Sequence, residues 1–354
     1  MDAPIFIVGA NRSGTTLLRL MLNAHPHIAI PDEVNYFESA FQGIPVTDWA
    51  APGLTDDEYA AFVTERIEAM LAHSGMDLDR ASLQAAMRAG PATFRTPYAV
   101  LLHHWAEKHG ATRWGEKTPG NLFFVDVLRE MFPSARFIHM VRDPRAGVAS
   151  MQRVSFFPDD VALNALIRRT FADDARTRLP SVVPASHRRA VRYEDLVTDP
   201  EATLRSLCAF LETSYHPAML HFHQAAEQHM SDDAATAFNA TATRPVQTGR
   251  VRAWETRLSR HEVAMVETIC QTEMEAFGYA PTNARLSATA WAEVQMKTLY
   301  WHLQTWRNRD VRGHLVRYPM CARFRDRLSA VGRRVRNTFF SSGNTSSVPN
   351  SPGR

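Results

Sequence analysis

Short unbroken apolar runs alternate along this chain with stretches whose apolar residues recur every three or four positions. That order predicts buried parallel strands joined by helical crossovers. Residues 5–8 (Ile-Phe-Ile-Val) read as the first strand, and Leu17, Leu18, Met21 and Leu22 set a helical spacing from Thr15. A second short strand fits residues 27–30, stopped by Pro31, Asp32 and Glu33. Residues 37–110 look mainly helical, with amphipathic stretches over 56–73 and 97–109. Residues 114–121 read as a turn before a helix over 122–131, and residues 135–141 as the clearest later strand. Another helix is expected over 161–178, a strand-to-turn junction over 187–196, and a helix capped by Asp199 that reaches Leu211. Residues 231–250, rich in Ala and Thr, suit a loop, and helical patterning resumes over 259–277 and 286–306. The fold class expected is therefore α/β, three layers with a central, mainly parallel sheet flanked by helices.

Between the first strand and the first helix lie Gly9, Arg12, Ser13, Gly14, Thr15 and Thr16. Strand, glycine loop and helix in that order make an anion cradle, because the loop amides and the helix dipole converge on one spot. The spacing of Gly9 and Gly14 is that of a phosphate-binding P-loop, but Thr15 stands where such a loop carries lysine. An ATP-splitting loop needs that lysine on the outer phosphates. Arg12 is the nearby cation instead, so the cradle suits a 5′-phosphate whose outer group is not a γ-phosphoryl.

Ligands of an open parallel sheet bind beyond the carboxyl ends of its strands. Glu33 would then face the same crevice, as a general base or simply as a solvated turn carboxylate. Lys117 follows Glu116 before a helix start, where a cation makes sense if an anion is shared there; the alternative is a solvated loop lysine. Arg142 follows the strand at 135–141, and Ser150 lies eight residues on, an arrangement that can grip a second phosphate; the alternative is an Arg142–Asp143 pair. Tyr193 could stack on a base or close the core. Arg250 and Arg252 belong to a cluster of cations at 244–254, with Gly249 and Trp254, that suits closure over a polyanion.

Composition narrows the setting. The net charge of +3 hides an asymmetry: residues 307–354 hold 11 Arg and 2 Asp (+9), and the remaining 29 basic and 35 acidic residues give −6. The basic segment can meet anionic lipid or a partner, or pack on the acidic body; nucleic acid is not expected. Cys208, Cys270 and Cys321 form no metal or disulfide spacing, which fits a reducing compartment. With neither a signal peptide nor an apolar run of about 18 residues, a cytoplasmic location is expected. The domain plan is a catalytic body over 1–282 with 37–110 as a helical insertion and acceptor lid, a Trp/Arg-rich helical extension over 283–338 and a disordered tail over 339–354.

Together these junctions resemble the sulfotransferase superfamily, enzymes that use 3′-phosphoadenosine 5′-phosphosulfate (PAPS). The resemblance covers residues 4–280. Arg12 to Thr16 looks like the family's 5′-phosphosulfate loop, and Arg142 with Ser150 like its 3′-phosphate motif. Residues 191–196 (Val-Arg-Tyr-Glu-Asp-Leu) and 244–254 resemble two further blocks. The tyrosylprotein sulfotransferase-like branch is nearest, since His25-Pro26 and Glu33 keep its spacing to a catalytic glutamate. Lys117, in Glu-Lys-Thr-Pro, resembles that branch's active-site lysine. The absence of an anchor and of cysteine pairs points to a soluble bacterial relative, and Ala253 stands where the branch tends to have lysine.

The resemblance implies in-line transfer of a sulfuryl group to a hydroxyl, less readily an amine, of a small-molecule, carbohydrate or peptide acceptor. Glu33 would be the base, and Arg12 and Lys117 would neutralise the leaving oxygen. Ser13, Gly14, Thr15 and Thr16 would hold the 5′-phosphate, and Arg142 and Ser150 the 3′-phosphate, with Tyr193, Arg250 and Arg252 completing the site. No metal is expected, because a sulfuryl group carries less charge than a γ-phosphoryl. The rival reading is a divergent P-loop kinase of small molecules that uses ATP and magnesium.

Overall fold

The computed structural model describes residues 3–37, 76–224 and 244–308, with scattered positions between 55 and 71. Five parallel strands form one sheet in the order β2-β3-β1-β4-β5. They are β1 (Ile5–Gly9), β2 (Ile28–Ala29), β3 (Arg113–Glu116), β4 (Arg136–Val141) and β5 (Arg188–Arg192). β1, with both faces buried, is apolar at successive positions, as a central parallel strand requires. Its alternation still divides the core. Ile5 and Ile7 join Ile138, Met140 and the apolar side of α1 (Thr15–Asn23) on one face. Phe6 and Val8 pack on the other with Phe137 and with α6 (Val161–Val182). Three layers result.

The other α-helices among the described residues are α2 (Arg80–Ala89), α3 (Arg95–Lys108), α4 (Val125–Met131), α5 (Pro144–Met151), α7 (Tyr193–Thr198) and α8 (Pro200–Phe210), followed by α9 (Arg260–Ile269), α10 (Gln271–Ala276) and α11 (Ala288–Arg307). Local chemistry sets their starts. Asp143 caps α5 with Pro144 behind it, Asp199 accepts from the Ala202 amide at 3.2 Å, and Ser259 with Glu262 closes a reciprocal cap on α9.

Two expectations need correction. The stretch from Arg113 to Glu116 is a strand, not part of a turn, and it sits between β2 and β1. The helix expected over 259–277 breaks at Cys270 into α9 and α10. The helix expected over 56–73 falls mostly outside the described residues, as do 231–243 and everything beyond 308. Among the described residues no helix is long and apolar enough to cross a membrane.

Candidate active site

Strand register delivers the candidate residues to one edge of the sheet. Gly9 lies opposite Met140 and Val141 opposite Arg192, so the 10–14 loop, Arg142 and Tyr193 leave the sheet side by side. Phe6 lies opposite Glu116 and Ala29 opposite Trp114, which brings Lys117 and the segment at 30–33 to the same edge.

Arg12 takes the left-handed conformation (φ 64°), uncommon for a residue with a side chain and frequent at functional sites. Its carbonyl accepts from Nη1 of Arg142 at 3.2 Å, and its own Nε donates to Oγ of Ser150 at 3.1 Å. The two phosphate grips read from the sequence are therefore one continuous patch. Arg142 is almost wholly buried, 4.0 Å above the ring of Tyr193, and its Nη2 donates to the Arg250 carbonyl at 3.3 Å. Its Nε, also buried, has no hydrogen-bond partner among the described residues.

The Arg142–Asp143 pair does not form. Asp143 instead holds Arg145 at 2.7 Å, and the Asp143 amide donates to Glu194 at 3.0 Å. Tyr193 is buried and lies against Gly14, where an added Cβ would come within 2.5 Å of its ring. Gly14 also has φ +96°, so close approach and backbone both require glycine there. Ser13 and Thr15 are buried, Gly14 and Thr16 half-buried, at the start of α1.

Charge concentrates at this spot. Burial, then repulsion from Arg142, lowers the Arg12 pKa; Glu33 opposes the shift, and Arg153 and Arg250 add to it. Burial also lowers the Arg257 pKa, again with Arg153 and Arg250 contributing. Five arginines thus converge on one place, where their mutual repulsion favours a polyanion. Arg252 stands apart, exposed and paired with Glu255 at 2.6 Å.

The second half of the site is acid and base. Nζ of Lys117, 2% exposed, meets Oε1 of Glu33, 41% exposed, at 2.5 Å. The buried member anchors the pair, and the carboxylate reaches the crevice. The segment leading to Glu33 is fixed by α1: Asn23 exchanges hydrogen bonds with both backbone groups of Ile30, and Arg19 pairs with Asp32 at 2.6 Å. Glu116, behind Lys117, is fully buried with Thr118 and Asn121 donating to it, and burial raises its pKa to about 7.

Sequence reading missed Arg168. From α6 this fully buried side chain donates to the Asn11 carbonyl (3.3 Å), Oγ of Ser13 (3.3 Å) and the Arg142 carbonyl (2.9 Å), and pairs with Glu273 at 3.0 Å. It ties the glycine loop to the end of β4. An arginine mid-helix gives no sequence signal of that duty, nor do Arg153 and Arg257 of theirs.

Comparison with known proteins shows the family and the fold. The family model described as "Sulfotransferase family" matches residues 4–217. A putative protein-tyrosine sulfotransferase of Caenorhabditis briggsae is 24% identical over 82% of this chain and 93% of its own length. Protein-tyrosine sulfotransferase 1 of Danio rerio is 31% identical over 63% of this chain, which spans 57% of that relative. Among solved structures, the sulfotransferase domain of the Synechococcus PCC 7002 olefin synthase superposes with a TM-score of 0.54 at 23% identity, covering 79% of this chain and 97% of that one, a likeness of fold.

Proposed function

This chain belongs to the sulfotransferase family, and from that premise we propose that it moves the sulfuryl group of PAPS onto an acceptor hydroxyl, with Glu33 as general base. The observation that carries the reading is the continuity of the site. Arg12 is bonded to Ser150 on one side, feels the charge of Glu33 on the other, and has Arg142 on its carbonyl. A donor with a phosphate at each end of its ribose could meet all of these groups at once.

The pocket fits such a donor by its own chemistry. Arg142 has a buried Nε without a partner, and no carboxylate among the described residues pairs with it. An anion would satisfy that atom. Arg142 and Ser150 would hold the 3′-phosphate, while the loop amides with Thr15 and Thr16 would take the 5′-phosphate at the head of α1.

In the reaction the acceptor oxygen attacks sulfur in line, and the bond from sulfur to the bridging oxygen breaks. The electron pair stays on that oxygen, which departs with adenosine 3′,5′-bisphosphate. Glu33 takes the acceptor proton as the new bond forms. Lys117 holds Glu33 in place, and with Arg12 it offers positive charge to the departing oxygen. Positioning and charge stabilisation account for the remainder, as in phosphoryl transfer. Acceptor class is a hydroxyl compound, of which the tyrosine side chain named for two relatives is one kind. The kinase reading loses support from Thr15, which stands at the lysine position and is buried.

Labelled PAPS and a panel of hydroxylated metabolites and peptides test the proposal. Glu33→Ala should lower turnover by about a hundredfold or more while adenosine 3′,5′-bisphosphate still binds. Full activity in that variant would remove Glu33 as the base, and transfer from ATP rather than PAPS would replace the whole reading.

A further inference from the structure

α11 has two apolar faces. Ala290, Val294, Lys297, Trp301 and Thr305 lie on the inner one and are buried. Trp301 donates to Oγ1 of Thr170 at 2.8 Å, and Lys297 meets Asp160 at 2.7 Å and Glu293 at 2.8 Å. The helix is thus seated on α6 by packing, a hydrogen bond and the ion pair to Asp160 at the cap of α6. Its orientation is fixed.

Half a turn round lie Trp291, Met296, Leu299, Leu303 and Trp306, between 46% and 74% exposed. At 3.6 residues per turn these positions form one stripe opposite the seated face. They are five of the six large hydrophobic side chains counted as exposed among the described residues. Isolated exposed leucines need no explanation, but a continuous stripe of this kind marks an interaction surface.

We propose that this face docks the enzyme on an anionic lipid surface. Three features select that occupant. The stripe places an indole near each end with leucines between them, the arrangement suited to a headgroup boundary, where amphipathic rings sit above buried aliphatic chains. It carries no carboxylate, since Glu293, the acidic residue of the helix, is held by Lys297. The sequence that follows directly, residues 307–354, carries a net +9 against −6 for the rest of the chain. An apolar stripe joined to a basic segment offers both terms of binding to an acidic bilayer, insertion and charge attraction. A second copy seated face to face would bring two such basic segments together. A bilayer of acidic lipids neutralises them instead.

The full chain tests this by cosedimentation with vesicles of phosphatidylcholine containing phosphatidylglycerol, against phosphatidylcholine alone. The expected preference for the acidic vesicles is at least about tenfold. Leu299→Ser/Leu303→Ser/Trp306→Ser should cut binding to the acidic vesicles by about tenfold and leave affinity for adenosine 3′,5′-bisphosphate unchanged. Three results would overturn the proposal: no preference for acidic vesicles; equal vesicle binding by the triple variant; or a native dimer, by sedimentation without lipid, that the variant converts to monomer. The last would assign the stripe to a second copy.

Discussion

Arg142 sits where an arginine is costly. It is buried, its pKa is lowered chiefly by burial with Arg168 and Arg250 adding repulsion, and Tyr193 with Glu194 only partly offset this. Its stacking on Tyr193 fixes the guanidinium plane, so lysine would not replace it. Arg142→Ala is expected to raise the Michaelis constant for PAPS by roughly ten- to a hundredfold, the loss of one charged hydrogen-bonding group, with a much smaller change in kcat. Steady-state kinetics over a range of PAPS concentrations checks this, and an unchanged constant would move the 3′-phosphate elsewhere. A second residue-scale test concerns Glu116, whose pKa burial raises from 4.5 to about 7. A raised folded-state value means that its stabilising contribution is complete below pH 4.5 and is lost as pH rises through about 7. The stability of Glu116→Gln relative to the native chain should therefore grow between pH 4.5 and about 8, by up to about 3 kcal/mol. His139, held near 4 by burial, slopes the other way but equally in both proteins, so it cancels in the difference. Urea melts across that range would show it; a constant difference would mean that Glu116 stays ionised. Arg12, Glu33 and Arg142 were legible in the sequence because each follows a strand end or sits in a glycine loop, where chemistry concentrates. Glu116 was not, since nothing in Trp-Gly-Glu-Lys signals a carboxylate with zero exposure.

At the scale of elements, the site depends on contacts between helices and loops. Gly147 of α5 lies against Arg168 of α6 so closely that an added Cβ would stand 2.2 Å from Nη1. Gly147→Ala should push Arg168 off the glycine loop and off the Arg142 carbonyl. Breaking a buried ion pair in this way is expected to cost about 3 kcal/mol in denaturant unfolding, with weaker binding of adenosine 3′,5′-bisphosphate as well. Undiminished stability would show that the helices can part without loss. The strands β1 and β4 were readable as apolar runs, whereas β3 was not. Arg113, Gly115 and Glu116 give it neither alternation nor a continuous apolar stretch. It is a strand because its neighbours pair with it and because Arg113 is held by the carbonyls of Ala3 and Leu211. Such support comes from distant chain and leaves no local pattern.

For the molecule as a whole, parallel topology is what turns scattered residues into a site. With β1 central and β3 and β4 beside it, the loops after β1, β3 and β4 open on the same edge, together with those of β2 and β5. Residues from Arg12 to Arg257 thereby share one electrostatic neighbourhood, although no stretch of sequence holds more than two or three of them. The fold class could be inferred from the alternation of strands and helices, but the meeting of Arg12 with Ser150 required the register itself. On the proposed reading, a single continuous patch recognises both phosphates of one nucleotide. Calorimetric titration of the native chain and of Arg142→Ala with adenosine 3′,5′-bisphosphate and with adenosine 5′-monophosphate tests it most directly. The native chain should prefer the bisphosphate by at least about tenfold, and the variant should lose most of this preference; the same preference in both proteins would rule out a shared patch built on Arg142.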